Sequence, residues 1–224
     1  MSITGPVFIL LALALVVLAG RRALPLLLFS FDPGSLRVWF DDTQQSAALV
    51  SRSAALRDLV AALKSLGFLP LGLKLEKLPL GGPAYREVAL ASGERSTFAS
   101  IVLARSGEPA SFYFYTPFED GGMVFTRNFA FGREAEAPPI SVRNVPGGSP
   151  EQVLAAHAGR VRDFQARGLR PSASCSQQGR LDATRAFYAS NYARRGVAYL
   201  RSPDVLAFFF MLAVLALAIV AATF

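Results

Sequence analysis

The chain has 224 residues and a formal net charge of +7; 52% of its residues are hydrophobic and only 17% are charged. Every Lys, Arg, Asp and Glu lies between Arg21 and Asp204, so both ends of the sequence are uncharged and apolar. With one His and one Cys, the chain cannot form an internal disulfide or a zinc site of Cys and His ligands, which needs about four of them.

The first apolar run covers residues 3–20. At about 1.5 Å per residue, a helix of this length is adequate for a hydrocarbon core of about 30 Å. The alternative, a cleaved signal peptide, needs basic residues before the apolar core and a small-x-small site after it. Because Arg21 and Arg22 follow the run directly, we predict an uncleaved transmembrane helix at 3–20. Residues 21–35 are predicted to form an interfacial linker. They include the short apolar stretch ALPLLLFSF, for which the sequence leaves two placements open: in the membrane interface or packed on the domain.

Residues 36–200 are predicted to form an α+β domain, because a helical pattern is followed by strands and then by more helices. Thr43 or Ser46 is expected to cap the first helix, and Gly67 to take the left-handed position after its end. One continuous helix is predicted because six apolar residues recur at helical spacing: Leu49, Leu56, Leu59, Val60, Leu63 and Leu66.

Five strand segments follow, separated by turns rich in Gly, Pro and Asp. They read LGLKLEKL, YREVALA, TFASIVLA, ASFYFYT and MVFTRNFAF. Short connections favour antiparallel neighbours, because parallel pairing requires a long crossover. We therefore predict an antiparallel meander of about five strands, flanked by helices. Its clearest element is a hairpin from Ser111 to Phe131 that turns at residues 119–122.

Two more helices are expected after a loop, REAEAPPISVRNVPGGSP. Ser149 is a suitable N-cap for the first of them, Pro150 suits the first helical position, and Gly168 ends the helix. The second has the sequence LDATRAFYASNYARR, residues 181–195, and leads towards the last apolar run.

Residues 203–224 are predicted to form a second transmembrane helix, a C-terminal anchor. Ser202 can cap it, Pro203 can occupy its first position, and Asp204 suits the positive end of the helix dipole.

Basic residues mark the cytoplasmic side of a membrane protein. Arg21 and Arg22 lie on the domain side of the first apolar run. The same side of the second run carries three more basic residues: Arg194, Arg195 and Arg201. We predict a two-pass protein of a bacterial inner membrane, with the α+β domain in the cytoplasm and both termini outside.

The sequence offers few catalytic groups. Cys175 and His157 are the only candidates for a thiol–imidazole pair. His157 shares a predicted helix face with apolar residues, so a partly buried, hydrogen-bonded histidine is the favoured interpretation. The acidic pairs 41–42 and 119–120 are expected at a helix cap and in a turn. Phosphate-binding and nucleophile-elbow motifs are absent from the sequence. We expect no metal and no cofactor, and the sequence disfavours an enzyme without excluding one.

Four consecutive aromatic residues, Phe112, Tyr113, Phe114 and Tyr115, place aromatic side chains on both faces of one strand. Core packing is the favoured interpretation. A ligand or partner surface is the alternative, and stacking with nucleic-acid bases is disfavoured because no basic residues interleave with the aromatic ones.

The basic excess lies between Arg143 and Asp204, and its arginines from Arg160 to Arg201 are expected to approach anionic lipids. The alternative is a solvated helix face whose charges only mark the topology. We name Arg21, Arg22, Arg194, Arg195 and Arg201 as candidate lipid contacts. The expected function is a membrane-anchored, non-enzymatic α+β module. It would bind a protein partner, form a homo-oligomer, or serve as an accessory subunit of a membrane complex. The alternative is a domain that binds a small ligand or a lipid at the membrane surface.

Overall fold

The computed structural model describes residues 4–41, 43–81, 84–130, 134–137, 140–172, 174–190 and 200–223. The described residues form an α+β fold with a mixed sheet. The helices are α1 (Thr4–Phe31), α2 (Thr43–Arg52), α3 (Ala54–Ser65), α4 (Pro150–Ala166), α5 (Gln177–Ser190) and α6 (Pro203–Thr223). The strands are β1 (Arg37–Phe40), β2 (Leu69–Lys77), β3 (Ala84–Ser92), β4 (Thr97–Leu103), β5 (Pro109–Pro117), β6 (Met123–Arg127), β7 (Ala135–Ala137) and β8 (Ile140–Asn144).

The chain divides into two compact units. The helical unit comprises Met1–Arg37, Lys77–Ala84 and Asn191–Phe224, and so includes α1 and α6. The sheet unit comprises Val38–Glu76 and Tyr85–Ser190.

The sheet has the strand order β1-β2-β3-β4-β5-β6-β8-β7. Strands β2 to β6 follow one another both along the chain and across the sheet, and the pairs β3/β4, β4/β5 and β5/β6 are antiparallel. The predicted meander is therefore correct for the middle of the sheet. It was wrong in the number of strands and in the expectation of a purely antiparallel sheet, because β8 pairs parallel with β6.

The parallel pair arises because the chain leaves β6, forms the short edge strand β7, and returns as β8 between them. Phe125 in β6 lies opposite Val142 in β8, and Val142 lies opposite Ala135 in β7. A parallel pair requires a long connection, and β7 lies within the connection between β6 and β8.

The predicted long helix is two helices, α2 and α3, separated at Ser53. The Ser53 hydroxyl oxygen accepts a hydrogen bond from the backbone N–H of Leu56 at 3.2 Å. The same hydroxyl donates to the Glu108 carboxylate at 2.6 Å. Ser53 thereby acts as the N-cap of α3, and the extended backbone of an N-cap interrupts the helix.

The other predicted helix boundaries are largely confirmed. Gly67 and Gly168 follow α3 and α4 with φ of 85° and 87°, in the left-handed region that favours glycine. Ser149 caps α4 and forms a reciprocal capping box with Gln152. Helix α5 begins at Gln177, four residues before the prediction, and residues 191–195 of that prediction lie outside the described residues. The predicted caps Thr43 and Ser46 have side chains outside the described set.

Helices cover both faces of the sheet. On the first face, α3 and α4 pack over a core that includes Leu56, Phe68, Leu90, Phe114 and Val153. On the second face, α5 packs over a smaller cluster that includes Phe98, Tyr115, Met123, Ile140 and Ala183.

Strand β2 contributes to both faces through an irregularity at Gly72. Leu71 packs with the second-face cluster, whereas Leu73 packs with the first-face core, although residues two apart in a regular strand share a face. Gly72 has φ of 128°, and an extra glycine of this kind is typical of a β-bulge.

In the helical unit, α1 and α6 pack against each other. A Cβ atom at Gly20 would lie 3.2 Å from Cε2 of Phe208, so the absence of a side chain permits the close approach. By length and composition, both helices are able to cross a membrane. Helix α1 does not end at Gly20; it continues through the predicted linker to Phe31 and is followed by a 3₁₀ turn, Pro33–Ser35.

Candidate functional site

Four charged side chains are buried together on the second face of the sheet, and we call them the charge network. Lys74 and Glu76 come from β2, Glu87 from β3 and Arg180 from α5. The Lys74 Nζ lies 2.5 Å from Glu76 Oε1 and 2.9 Å from Glu87 Oε2. The Arg180 Nη2 lies 3.2 Å from the same Glu87 oxygen. The network has two cations and two anions, so it is neutral as a whole.

Tyrosine hydroxyls complete the hydrogen bonds of the two carboxylates. Tyr113 donates to Glu87 Oε1 at 2.8 Å, and Tyr188 donates to Glu76 Oε2 at 2.6 Å. Each carboxylate of the network is therefore held by one cation and by one phenol at least. These ion pairs and hydrogen bonds offset the free-energy cost of burying the charges, because an unpaired buried charge costs several kcal/mol.

Arg180 anchors α5 to the sheet. Its Nη1 donates to Thr184 Oγ1 at 2.7 Å, and its Nη2 donates to the Tyr113 hydroxyl at 2.7 Å. The guanidinium also lies over the rings of Tyr115 and Phe98, 5.1 Å and 5.7 Å from their centroids. Within the described part of the chain, the Arg180 Nε has no hydrogen-bond partner.

The pKa values reflect this environment. Burial raises the pKa of Glu87, but the attraction of Lys74 and Arg180 and hydrogen bonds from Lys74 and Tyr113 together lower it below its ordinary value. Burial raises the pKa of Tyr113 well above its ordinary value. Glu87 is therefore ionised and Tyr113 is a neutral donor at neutral pH.

The sequence pattern does not reveal this network. The alternation of Leu73 and Leu75 with Lys74 and Glu76 is typical of a strand with one solvent-facing side. A signal was present in α5, where Arg180, Thr184 and Tyr188 recur every four residues and form one polar stripe. A polar helix stripe is by itself typical of a solvent-facing side, and only its position over the charged face of β2 shows that the network is buried.

His157 lies on the first face, between two threonines. Its Nε2 is 2.9 Å from Thr116 Oγ1 and its Nδ1 is 3.0 Å from Thr126 Oγ1. Burial, and secondarily the charge of Arg160, lowers the pKa of His157 to about 3. The expectation of a hydrogen-bonded structural histidine is confirmed, and the burial is complete rather than partial.

Cys175 packs with the second-face cluster, so the sheet separates it from His157. Its thiol donates to the backbone carbonyl of Ser92 at 3.5 Å, and burial raises its pKa. The two residues therefore do not form a thiol–imidazole pair.

The aromatic run of β5 alternates between the two faces, as its spacing requires. Phe112 and Phe114 join the first-face core, and Tyr115 is buried on the second face. Tyr113 is half-buried beside the charge network. A ligand or partner surface at this strand stays a prediction, and Tyr113 is the member with exposed area.

The candidate lipid contacts are placed in part. Arg21 and Arg22 are exposed on α1, and Arg201 is exposed just before α6. Arg194 and Arg195 lie outside the described residues.

Two arginines that were expected to approach the membrane turn inward instead. Arg180 belongs to the charge network, and Arg160 donates from Nη1 to the Phe125 carbonyl at 2.5 Å and to Thr126 Oγ1 at 3.0 Å. Each guanidinium group donates hydrogen bonds to oxygen atoms within the protein. The sequence could not reveal these partners, because they are distant along the chain or depend on packing.

The acidic pairs have local structural roles where they are described. Asp120 Oδ1 accepts from the Gly122 N–H at 3.0 Å, which confirms the predicted turn. The backbone N–H of Asp41 donates to the Leu73 carbonyl at 2.8 Å, so Asp41 extends the pairing of β1 with β2, and Asp42 lies outside the described residues. Among the residues that the structure describes, no group of three or more His, Cys, Asp or Glu side chains could hold a metal ion.

Neither a family model, a curated protein nor a solved structure matches this chain.

Proposed function

We propose that this chain is a two-pass protein of a bacterial inner membrane, whose sheet unit lies in the cytoplasm and binds a protein partner without catalysing a reaction. The observation that carries the proposal is the exposure of α1 and α6. Only 17% of the most apolar 18-residue stretch of α1 and 11% of that of α6 are buried within the protein. Exposed apolar area costs about 25 cal/mol per Å² in water, whereas a bilayer removes that cost.

Charge supports the proposed direction of insertion. Arg21 and Arg22 lie on α1 towards the end from which the chain enters the sheet unit, and Arg201 lies where the chain leaves it for α6. Positive charge at these ends favours their retention on the cytoplasmic side.

The use of the reactive side chains supports a binding role. His157 is neutral and held by two threonines, and Lys74 is held by two carboxylates. A general base or nucleophile needs a reactive atom that can reach a substrate. In His157 and Lys74, the reactive nitrogen atoms instead form hydrogen bonds or ion pairs within the protein.

Cysteine labelling in intact spheroplasts tests the topology. Cys175 is a poor reporter because it is half-buried and its pKa is raised, so the thiol would react slowly with maleimide. The better variant carries Ser106→Cys, an exposed position in the turn between β4 and β5, in a Cys175→Ser background. Labelling by an impermeant maleimide only after permeabilisation is expected. Labelling of intact spheroplasts would contradict a cytoplasmic sheet unit.

Purification in mild detergent tests partner binding. A tagged chain is expected to retain a stoichiometric partner or, when co-expressed with an untagged copy, that copy. A clean monomer at physiological expression would count against the proposal.

A further inference from the structure

Helix α1 is longer than a bilayer requires. Its 28 residues extend over about 42 Å, whereas the hydrocarbon core is about 30 Å thick. The contact between Gly20 and Phe208 gives a common level on α1 and α6.

On one side of that level the two helices have about the same length, and on the other side α1 is longer. Away from the sheet unit in sequence, α1 extends 16 residues to Thr4 and α6 extends 15 residues to Thr223, which are about equal heights of 24 Å and 22 Å. In the opposite direction along the two helices, α6 extends about 7 Å to Pro203 and α1 about 16 Å to Phe31. Helix α1 therefore extends beyond the segment that it shares with α6.

This extension carries an exposed apolar stripe. Leu24, Leu28 and Phe31 are 41%, 42% and 73% exposed, and their spacing of four and three residues places them on one side of the helix. They follow Arg21 and Arg22, which are also exposed and mark the level of charged headgroups. The stripe thus begins where the hydrocarbon core of the membrane would end.

A fourth exposed apolar side chain of the same unit lies outside α1. Leu80 is 70% exposed and has φ of 54°, in the left-handed region that a leucine rarely adopts. It lies in the 3₁₀ turn Pro79–Gly81, which packs against α1. The backbone of Leu80 is therefore strained, although its side chain is not buried within the protein.

We propose that Leu24, Leu28, Phe31 and Leu80 form a membrane foot, which inserts into the interfacial layer of the bilayer that α1 and α6 cross. The inference rests on the proposed two-pass arrangement and adds a lipid contact beyond the part of α1 that lies beside α6. The headgroup layer, about 5–7 Å thick on each side, reaches Leu24 and Leu28, and the usual helix tilt of about 20° brings the stripe closer to it.

Charge in the helical unit fits an anionic lipid surface. Among its described residues, the bases Arg21, Arg22, Arg37, Lys77 and Arg201 outnumber the acids Asp32 and Asp204. Apolar side chains surrounded by basic residues are typical of segments that lie in the interface of anionic membranes.

The test compares three leucines of nearly equal exposure in the full chain. Leu80 (70%), Leu217 (70%) and Leu69 (71%) lie in the foot, in α6 and in the sheet unit, respectively. Each is changed singly to Cys in the Cys175→Ser background and labelled with an environment-sensitive fluorophore. The proteins are reconstituted into vesicles of mixed anionic and zwitterionic lipid. Lipids with a nitroxide near the headgroup or deep in the acyl chain, and a water-soluble quencher, report the depth of each label.

The expected pattern is deep acyl-chain quenching at Leu217, headgroup-level quenching with a blue-shifted emission at Leu80, and aqueous quenching at Leu69. Aqueous quenching at Leu80 together with lipid quenching at Leu217 would overturn the foot and leave the two-pass proposal intact. Aqueous quenching at Leu217 would overturn the two-pass proposal and with it the foot.

Discussion

Replacing Lys74 by Met is expected to destabilise the sheet unit severely. The change removes the ammonium group that lies 2.5 Å from Glu76 and 2.9 Å from Glu87, and Arg180 alone then faces two buried carboxylates. Breaking a buried ion pair by removing one partner costs about 3–5 kcal/mol. For a domain of this size, about 2–4 °C of Tm corresponds to each kcal/mol, so Tm should fall by about 6–20 °C.

A double variant separates the charge from the loss of the lysine side chain. Lys74→Met with Glu76→Gln leaves Glu87 paired with Arg180, and the Gln oxygen can still accept from Tyr188. The network is again neutral, so the double variant should be more stable than Lys74→Met alone by about 1–3 kcal/mol. Arg185→Met is the matched control: Arg185 forms an exposed pair with Asp182, and its loss should change stability by less than about 0.5 kcal/mol.

Trp39, the single tryptophan, lies in β1 of the sheet unit and provides the signal. The full chain in detergent micelles is heated and tryptophan fluorescence is followed. A Tm change for Lys74→Met no larger than that of Arg185→Met would refute the reasoning. The double variant provides a second criterion. If it is destabilised by as much as the sum of Lys74→Met and Glu76→Gln measured singly, or by more, the two charges are not coupled and the reasoning is refuted.

Three further predictions concern other parts of the fold. The pKa of His157 is lowered from 6.5, its ordinary value in an unfolded chain, to about 3 in the folded protein. The neutral histidine therefore contributes its full share of stability above pH 6.5, and this share is lost as the pH falls from 6.5 towards 3. At pH 5 the loss is about 2 kcal/mol, and His157→Gln should flatten the Tm profile between pH 6.5 and 5; an unchanged slope would contradict this assignment. Ser53→Ala should cost about 1–2 kcal/mol in urea unfolding, because it removes the cap of α3 and the hydroxyl bound to Glu108, and a cost near zero would show that the cap contributes nothing. Gly20→Leu should separate α1 from α6, since even its Cβ would lie 3.2 Å from the Phe208 ring, and disulfide cross-linking between cysteines placed in the two helices should decrease; restored cross-linking in Gly20→Leu with Phe208→Ala would identify the ring as the obstacle.

Local chemistry made much of the fold predictable. Ser149, Pro150 and Gly168 specify the ends of α4 by hydrogen-bonding capacity and backbone preference, which need no information about distant residues. The hairpin of β5 and β6 was predictable for the same reason, because the turn at residues 119–122 supplies the backbone angles between two apolar strands.

The failures share a dependence on distant partners. Ser53 interrupts a helical pattern because it bonds to Glu108, 55 residues away. Strand β8 is five residues long, and only its position between β6 and β7 makes it a strand. The pattern of β2 could not reveal that α5 covers Lys74 and Glu76, because covering is a property of the packed chain and not of the strand.

The charge network also sets an order of events during synthesis. Glu87 and Arg180 are separated by 93 positions, so the ribosome adds the arginine on the order of 5–20 s after the glutamate at about 5–20 residues per second. Until then the second face of the sheet lacks the helix and the guanidinium that cover it. When Arg180 is added, the residues of α6 have not yet been translated. The second face of the nascent sheet therefore stays uncovered at least until α5 has been made, and α6 is the next helix described along the chain.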